Sequence, residues 1–445
     1  MNPLPTVTEL VNALANGTAT ATDLCEAAIE RIERLDPAIN AVVVRDFDRA
    51  REQARSADAA LARGERRPLL GLPMTVKESF NIAGLPTTWG FPHGLGIPVT
   101  EDAVAVQRLK AAGAVILGKT NVPVALGDWQ TFNPVYGRTV HPLDAARTPG
   151  GSSGGAAAAL VTGMVALELG SDIGGSIRVP AAFCGLFGHK PTHGLVPTRG
   201  HDFPGYIGAP DTLSVAGPLA RSAADLERAL GVLAGPDDDA EGWTLALPPR
   251  RHSRIADHRV LVLTTHPCAA TASDVSSAVE HVAARLADAG AHVAHRSDLL
   301  PDLADMQDTY MQLLIAIATR GNPNAPKPIS AHAWLDLVDR RHRLRAQWRR
   351  FFDSFDAVLT PAFGTVAFPH DDEANPGARS LQVDGQPTPA ASQVAWPGVA
   401  SLPGLPATAL PTGLQSEGMP IGVQLIGPAF GDLTTIGLAG ALAGA

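Results

Sequence analysis

The stretch "TPGGSSGGAAAALVTG", Thr148 to Gly163, followed by "ELGSDIGGSIRVPAAFCG", Glu168 to Gly185, places serines inside two glycine clusters close together. The first cluster runs into alanines that read as the opening turns of a helix. Ser152 and Ser153 stand directly before that helix, and either can serve as the single side chain an N-cap requires. Ser176 is a different case. It closes "GSDIGGS", a glycine loop between the strand-like "MVALEL" and a short helix opened near Pro180. Gly174 and Gly175 let successive backbone N–H groups converge beside the Ser176 hydroxyl. Such a nest suits a developing oxyanion, although the same residues also read as an ordinary tight turn.

Outward from this span, helices alternate with short apolar runs: "GLPMTV" before Lys77, "AVIL" at Ala114 to Leu117, and "MVALEL" at Met164 to Leu169. That alternation predicts an α/β fold. Three helices are expected upstream. Val7, Leu10, Val11 and Leu14 form a stripe behind a Thr8 cap and before Gly17; Leu24, Ala28, Ile32 and Leu35 repeat until Asp36-Pro37; and Phe47 to Arg63 forms the third. Downstream, Gly235 to Ser253 reads as a linker or surface excursion. "RVLVLT", an amphipathic helix from Asp274 to Ala289 and "AHVAH" then make a βαβ-like unit. Pro361 to Pro406 reads as a long ordered loop system, and "PATALP" and "PIGVQLIG" as closing strands. We expect one domain over residues 1–445. It comprises an N-terminal helical segment 1–65, a core 66–235, a peripheral subdomain 236–360, and loops with closing strands 361–445.

Hydrophobic residues make up 45% of the 445 and charged ones 18%, which suits a globular enzyme and argues against disorder. A net charge of −9 gives no reason to expect nucleic acid. The one basic run, "RRHRLRAQWRR" at Arg340 to Arg350, reads as a solvated helix face because Leu344 and Trp348 repeat through it at helical spacing. "MNPLPTVTEL" lacks a basic n-region and an apolar h-region, and no stretch stays apolar long enough for a bilayer, so a cytoplasmic protein is expected. Cys25, Cys184 and Cys268 are too few and too scattered for a disulfide framework. No residues have metal-ligand spacing, and neither metal nor cofactor is expected.

Two motifs match in letters and fail in context. "GAVILGKT", Gly113 to Thr120, fits the phosphate-loop pattern, but its middle residues are themselves strand-like and "NVPVAL" is a poor helix start. The G-x-S-x-G elbow occurs around Ser152 and Ser153, yet "HPLDAARTP" is not the buried strand an elbow needs. Cys184 reads as packing rather than as a thiol nucleophile. A serine nucleophile requires a base, and no histidine has a telling spacing. Lysine can serve where burial keeps it neutral, and Lys77 directly follows an apolar strand; a strand-end charge reaching solvent is the alternative.

Taken together, "PGGSSGG…GSDIGGSIRVPAAFCG…HKPTHGLVP" and "GLPMTVKESFNIAGLPTT" resemble the glycine- and serine-rich signature and the lysine motif of the amidase signature family. The resemblance extends through "LGKTNVP", "NPVYGRTVHPLD" and "LPATALPTGL…MPIGVQLIG", and is loose from Gly235 to Val394. It implies a central mixed β-sheet flanked on both faces by helices. It also implies a triad with Ser176 as nucleophile, Ser152 as a bridging serine in a cis peptide after Gly151, and Lys77 as base. The N–H groups of Ile173, Gly174, Gly175 and Ser176 would hold the oxyanion, with Ser153, Asp172 and Arg178 in support. The chain departs from the family at Glu78, His189 and His141. The expected activity is hydrolysis of small amides, with anilides, esters or carbamates (urethanes) as further substrates, by a stand-alone chain or a homodimer with no nucleic-acid or membrane partner. The alternative is the amidase subunit of a tRNA-dependent amidotransferase. Trp129, Phe132, Tyr136, Phe203 and Tyr206 are expected near the acyl pocket.

Overall fold

The computed structural model describes residues 4–203, 208–237, 242–320, 329–373 and 375–444. Among these, the strands in chain order are β1 (Val42–Arg45), β2 (Pro73–Lys77), β3 (Val115–Thr120), β4 (Phe132–Asn133), β5 (Gly137–Arg138), β6 (Leu167–Asp172), β7 (Phe187–Lys190) and β8 (Val215–Ala220). They continue with β9 (Arg259–Val262), β10 (His292–Ala294), β11 (Ala357–Pro361), β12 (Ser380–Val383), β13 (Gln386–Pro389), β14 (Ala407–Ser416) and β15 (Met419–Ile426). Eleven of them form one mixed sheet in the order β1-β3-β2-β6-β8-β7-β14-β15-β11-β9-β10, while β4–β5 and β12–β13 are separate hairpins. The parallel pairs β3–β2 and β2–β6 lie toward one end of the sheet, and β11–β9 and β9–β10 at the other.

Strand alternation assigns the faces. On β3, Ile116 joins one apolar cluster and its neighbours Val115 and Leu117 join another. The first cluster is closed by helices Val104–Ala111, Ala223–Leu233, Ser273–Asp288 and Asp432–Ala443. The second is closed by Ala21–Leu35, Phe47–Ala62 and the alanine-rich helix Gly154–Val161. Met74 and Val76 of β2 belong to the first cluster, so period-two alternation turns Lys77 toward the second, where the helix led by Ser153 lies. All five residues of β2 are buried, as a strand between two parallel neighbours must be.

Several local expectations need correction. The first helix, Val7–Ala15, is capped by Thr6, which forms a capping box with Glu9; the Thr8 hydroxyl instead donates to Asp225 at 3.0 Å. The basic run lies on helix Ala331–Ser354 with Leu344 and Trp348 buried, but Arg341 is buried too, its Nε donating to the Leu402 carbonyl at 2.6 Å. Residues 361–406 hold more than loops: they contain the β12–β13 hairpin and helix Ala395–Ser401.

The failed phosphate-loop pattern has a physical reason. "VILGKT" is β3 itself, and Gly118 adopts φ +150° where β3 meets a register shift on β1. A methyl group there would collide with the Val44 carbonyl oxygen, so the glycine serves close strand approach rather than phosphate. Gly118→Ala is therefore expected to destabilise the fold by about 3 kcal/mol or more, read as a fall in the melting midpoint.

Candidate active site

Lys77 ends β2 inside the protein. Its Nζ lies 2.6 Å from Ser152 Oγ and 3.0 Å from Ser171 Oγ, with the Ser171 carbonyl oxygen at 3.4 Å. Burial lowers its pKa to about 7, and the negative charge of Asp172 opposes the shift without cancelling it. A lysine held so is an available base near neutrality. Ser152 follows a cis peptide after Gly151. Ser153 occupies the N-cap position of helix Gly154–Val161, but its hydroxyl makes no capping bond. Its backbone N–H donates to the Ser176 carbonyl at 3.1 Å and so ties the two serine loops together.

Asp172 ends β6 and organises the second loop. One carboxylate oxygen accepts from Gly175 N–H and Arg178 Nη2, both at 2.9 Å, and the other from Ile177 N–H and Arg178 Nε, both at 3.0 Å. Burial alone would raise this carboxyl, yet the charge and hydrogen bonds of Arg178 hold it down at about 2. One expectation changes here. The Gly175 N–H is turned to Asp172, which leaves Ile173, Gly174 and Ser176 as the N–H groups without a hydrogen-bond acceptor among the described residues.

The departures flagged in the sequence are absorbed structurally. Glu78 accepts from the Thr88 and Trp89 N–H groups at 2.6 and 3.0 Å and fixes an aromatic turn. His189 bridges Thr408 and Asp432 at 2.9 and 3.0 Å. His141 packs with Nε2 3.0 Å from the Phe183 carbonyl while Nδ1 accepts from Leu143 N–H, which makes Nε2 the protonated nitrogen. Cys184 is buried, and burial raises its thiol pKa.

Ser152, Ser171, Ile173, Gly174 and Ser176 open into a cavity of ≈ 1730 Å³. Of the aromatic residues expected there, Trp129 and Phe203 line it. Phe132 does not: it is about half exposed, under the Arg138 guanidinium. Tyr136 places its hydroxyl 3.4 Å from Glu78 and is not among the residues lining the cavity, and Tyr206 lies outside the described residues. Trp89, Phe91 and His201 line the cavity unforeseen, from loops with no periodic signal. His201 packs against Phe80 and Trp89 in tilted contacts with ring centroids 4.3 and 5.0 Å apart, and burial, aided by the charge of Lys77, lowers its pKa to about 3, so it stays neutral.

A family model described as Amidase matches residues 23–322 and 314–436. The chain belongs to the amidase signature family. A Mycobacterium tuberculosis protein named as amidase AmiB2 is 39% identical over 377 residues, covering 79% of this chain and 78% of its own. A Roseiflexus castenholzii protein named as a component of the glutamyl-tRNA(Gln) amidotransferase is 36% identical over 364 residues, covering 81% and 70%. An inhibitor-bound structure, described as a vestigial protein complex bearing on the origins of an s-triazine catabolic enzyme, superposes with a TM-score of 0.85 at 32% identity, covering 99% of this chain and 98% of that one. As an amidase, the protein is a hydrolase of amide C–N bonds. No described helix is long and apolar enough to cross a membrane.

Proposed function

We propose that hydrolysis proceeds through an acyl-enzyme on Ser176. Ser176 Oγ attacks the substrate carbonyl carbon and gives its proton to Ser152, whose own proton passes to neutral Lys77. The carbonyl oxygen becomes an oxyanion held by backbone N–H groups of the Ile173–Ser176 loop. When the C–N bond breaks, the departing nitrogen takes a proton from Ser152, which Lys77 replenishes. Water then attacks the ester along the same relay and releases the acid. The observation that carries this reading is the 2.6 Å contact of a buried, charge-depleted Lys77 with Ser152, below a cavity that Ser152 and Ser176 both line.

The cavity wall of Trp89, Phe91, Phe203, Met311, Leu314 and Ile317 supports apolar or aromatic substrates: anilides first, then esters and carbamates, since acyl transfer tolerates many leaving groups. We place the enzyme in the cytoplasm, where free cysteines such as the buried Cys25 and Cys184 persist, working as a single chain or homodimer. The likeness to an amidotransferase component favours a second reading, in which the chain is the amidase member of such an assembly. Purified alone, the chain should turn over a panel of anilides, esters and carbamates of graded size, fastest with an apolar acyl or aryl group. Activity on glutamine alone, appearing only with added partner proteins, would instead support the second reading.

A further inference from the structure

The backbone of the nucleophile loop is held peptide by peptide, and each tie sets where an N–H points. In a trans peptide the carbonyl and N–H face opposite ways. The Gly174 carbonyl accepts from Trp129 Nε1 at 3.0 Å, and the N–H of that peptide, on Gly175, points back to Asp172 at 2.9 Å. The Gly175 carbonyl accepts from Val179 N–H at 2.7 Å, at the start of the following helix, which turns the Ser176 N–H the other way. The remaining peptide, between Ile173 and Gly174, has its carbonyl tied by the Tyr310 hydroxyl at 2.7 Å.

Tyr310 is fully buried and stands outside the cavity lining, whereas Ile173 and Gly174 form part of that lining. A phenol fixed behind the loop therefore directs the Gly174 N–H away from itself, toward the substrate side. The phenol is itself constrained. Its ring packs against Gly398, where a side chain would overlap it, and it faces Ser401, whose hydroxyl accepts from Arg178 Nη2 at 2.9 Å. Burial raises the phenol pKa, so it remains protonated and donates. Asp172, Arg178, Ser401 and Tyr310 thus close a ring of contacts around the loop.

We infer that Tyr310 is a positioning residue that aims the Gly174 N–H at the developing oxyanion, alongside the Ser176 N–H. This rests on Ser176 being the nucleophile. Tyr310 comes from helix Leu303–Ala318, far from the serine loops in sequence.

Tyr310→Phe keeps the ring and its packing and deletes only the hydroxyl. With active sites titrated, kcat should fall roughly tenfold to a hundredfold with KM unchanged, somewhat less than the loss of a whole oxyanion donor. The inhibition constant of a trifluoromethyl ketone, whose serine adduct carries the oxyanion, should rise by the same factor as kcat/KM falls. The pH midpoint of kcat/KM should stay where it is, because Lys77 is untouched. A kcat within twofold of the parent, with only a lower melting midpoint, would show that Tyr310 merely supports the fold. Loss of activity in Ser176→Ala beside a normal Tyr310→Phe would refute this inference and spare the nucleophile assignment. An active Ser176→Ala would remove the foundation of both.

Discussion

Ser176→Ala is expected to abolish turnover, with kcat/KM falling by about 10⁴-fold or more, while the protein should melt as the parent does. The size follows from the chemistry: without the hydroxyl no acyl-enzyme forms, and only the loop's N–H donors and cavity binding remain to assist water. The unchanged melting follows from the local structure. The fold-bearing contacts of the residue come from its backbone, through the bond from Ser153 N–H to the Ser176 carbonyl, while its small side chain faces the cavity. Steady-state kinetics and thermal melting on the same preparation check both parts. Activity within tenfold of the parent would displace Ser176 from its role.

Lys77→Ala should lower kcat/KM by roughly 10²- to 10⁴-fold, the usual range for a lost general base. Lys77→Arg should fare no better. A guanidinium stays charged at every working pH, so it cannot accept the relayed proton, and its planar fork does not fit where one Nζ sits 2.6 and 3.0 Å from two serine hydroxyls. Ser152 and Ser171 would lose their shared partner in both variants. An arginine variant that retained most of its activity would show that charge at this position matters and basicity does not.

The sequence carried more of the site than of its surroundings. Glycine and serine clusters are local chemistry, so Ser152, Ser176 and the apolar strand before Lys77 can be read from short spans. Asp172 reads only as a supporting residue in the sequence, whereas five donors converge on it in the fold, including the Gly175 N–H that the resemblance gives to the oxyanion. The walls are less legible. Trp89, Phe91 and His201 come from irregular loops and Tyr310 from a distant helix, and nothing in periodicity tells which buried aromatic faces a cavity and which faces a carbonyl. Phe132 shows the converse: an aromatic residue near the signature that sits at the surface beneath Arg138. The phosphate-loop letters at Gly113 to Thr120 fail on local context alone, but the close approach of β1 that demands Gly118 depends on pairing between strands far apart in the chain.

A lysine base that must be neutral to act leaves its signature in the pH dependence of kcat/KM. Lys77 is protonated below its pKa and then cannot accept a proton, so activity must rise with pH through about 7 and level off above it. Asp172 stays ionised and His201 neutral across that range, so neither contributes a limb. Burial pushes the Glu168 carboxyl up to about 8 and lowers Lys119 to about 8 and Lys190 to about 7, so these groups titrate in the same window; none of them contacts Ser152, and the rising limb should survive in Glu168→Gln. A single rising limb near pH 7 is expected in the parent and in Glu168→Gln, and none in the residual activity of Lys77→Ala. A profile that is flat from pH 6 to 9, or that keeps its limb in Lys77→Ala, would contradict a neutral lysine base.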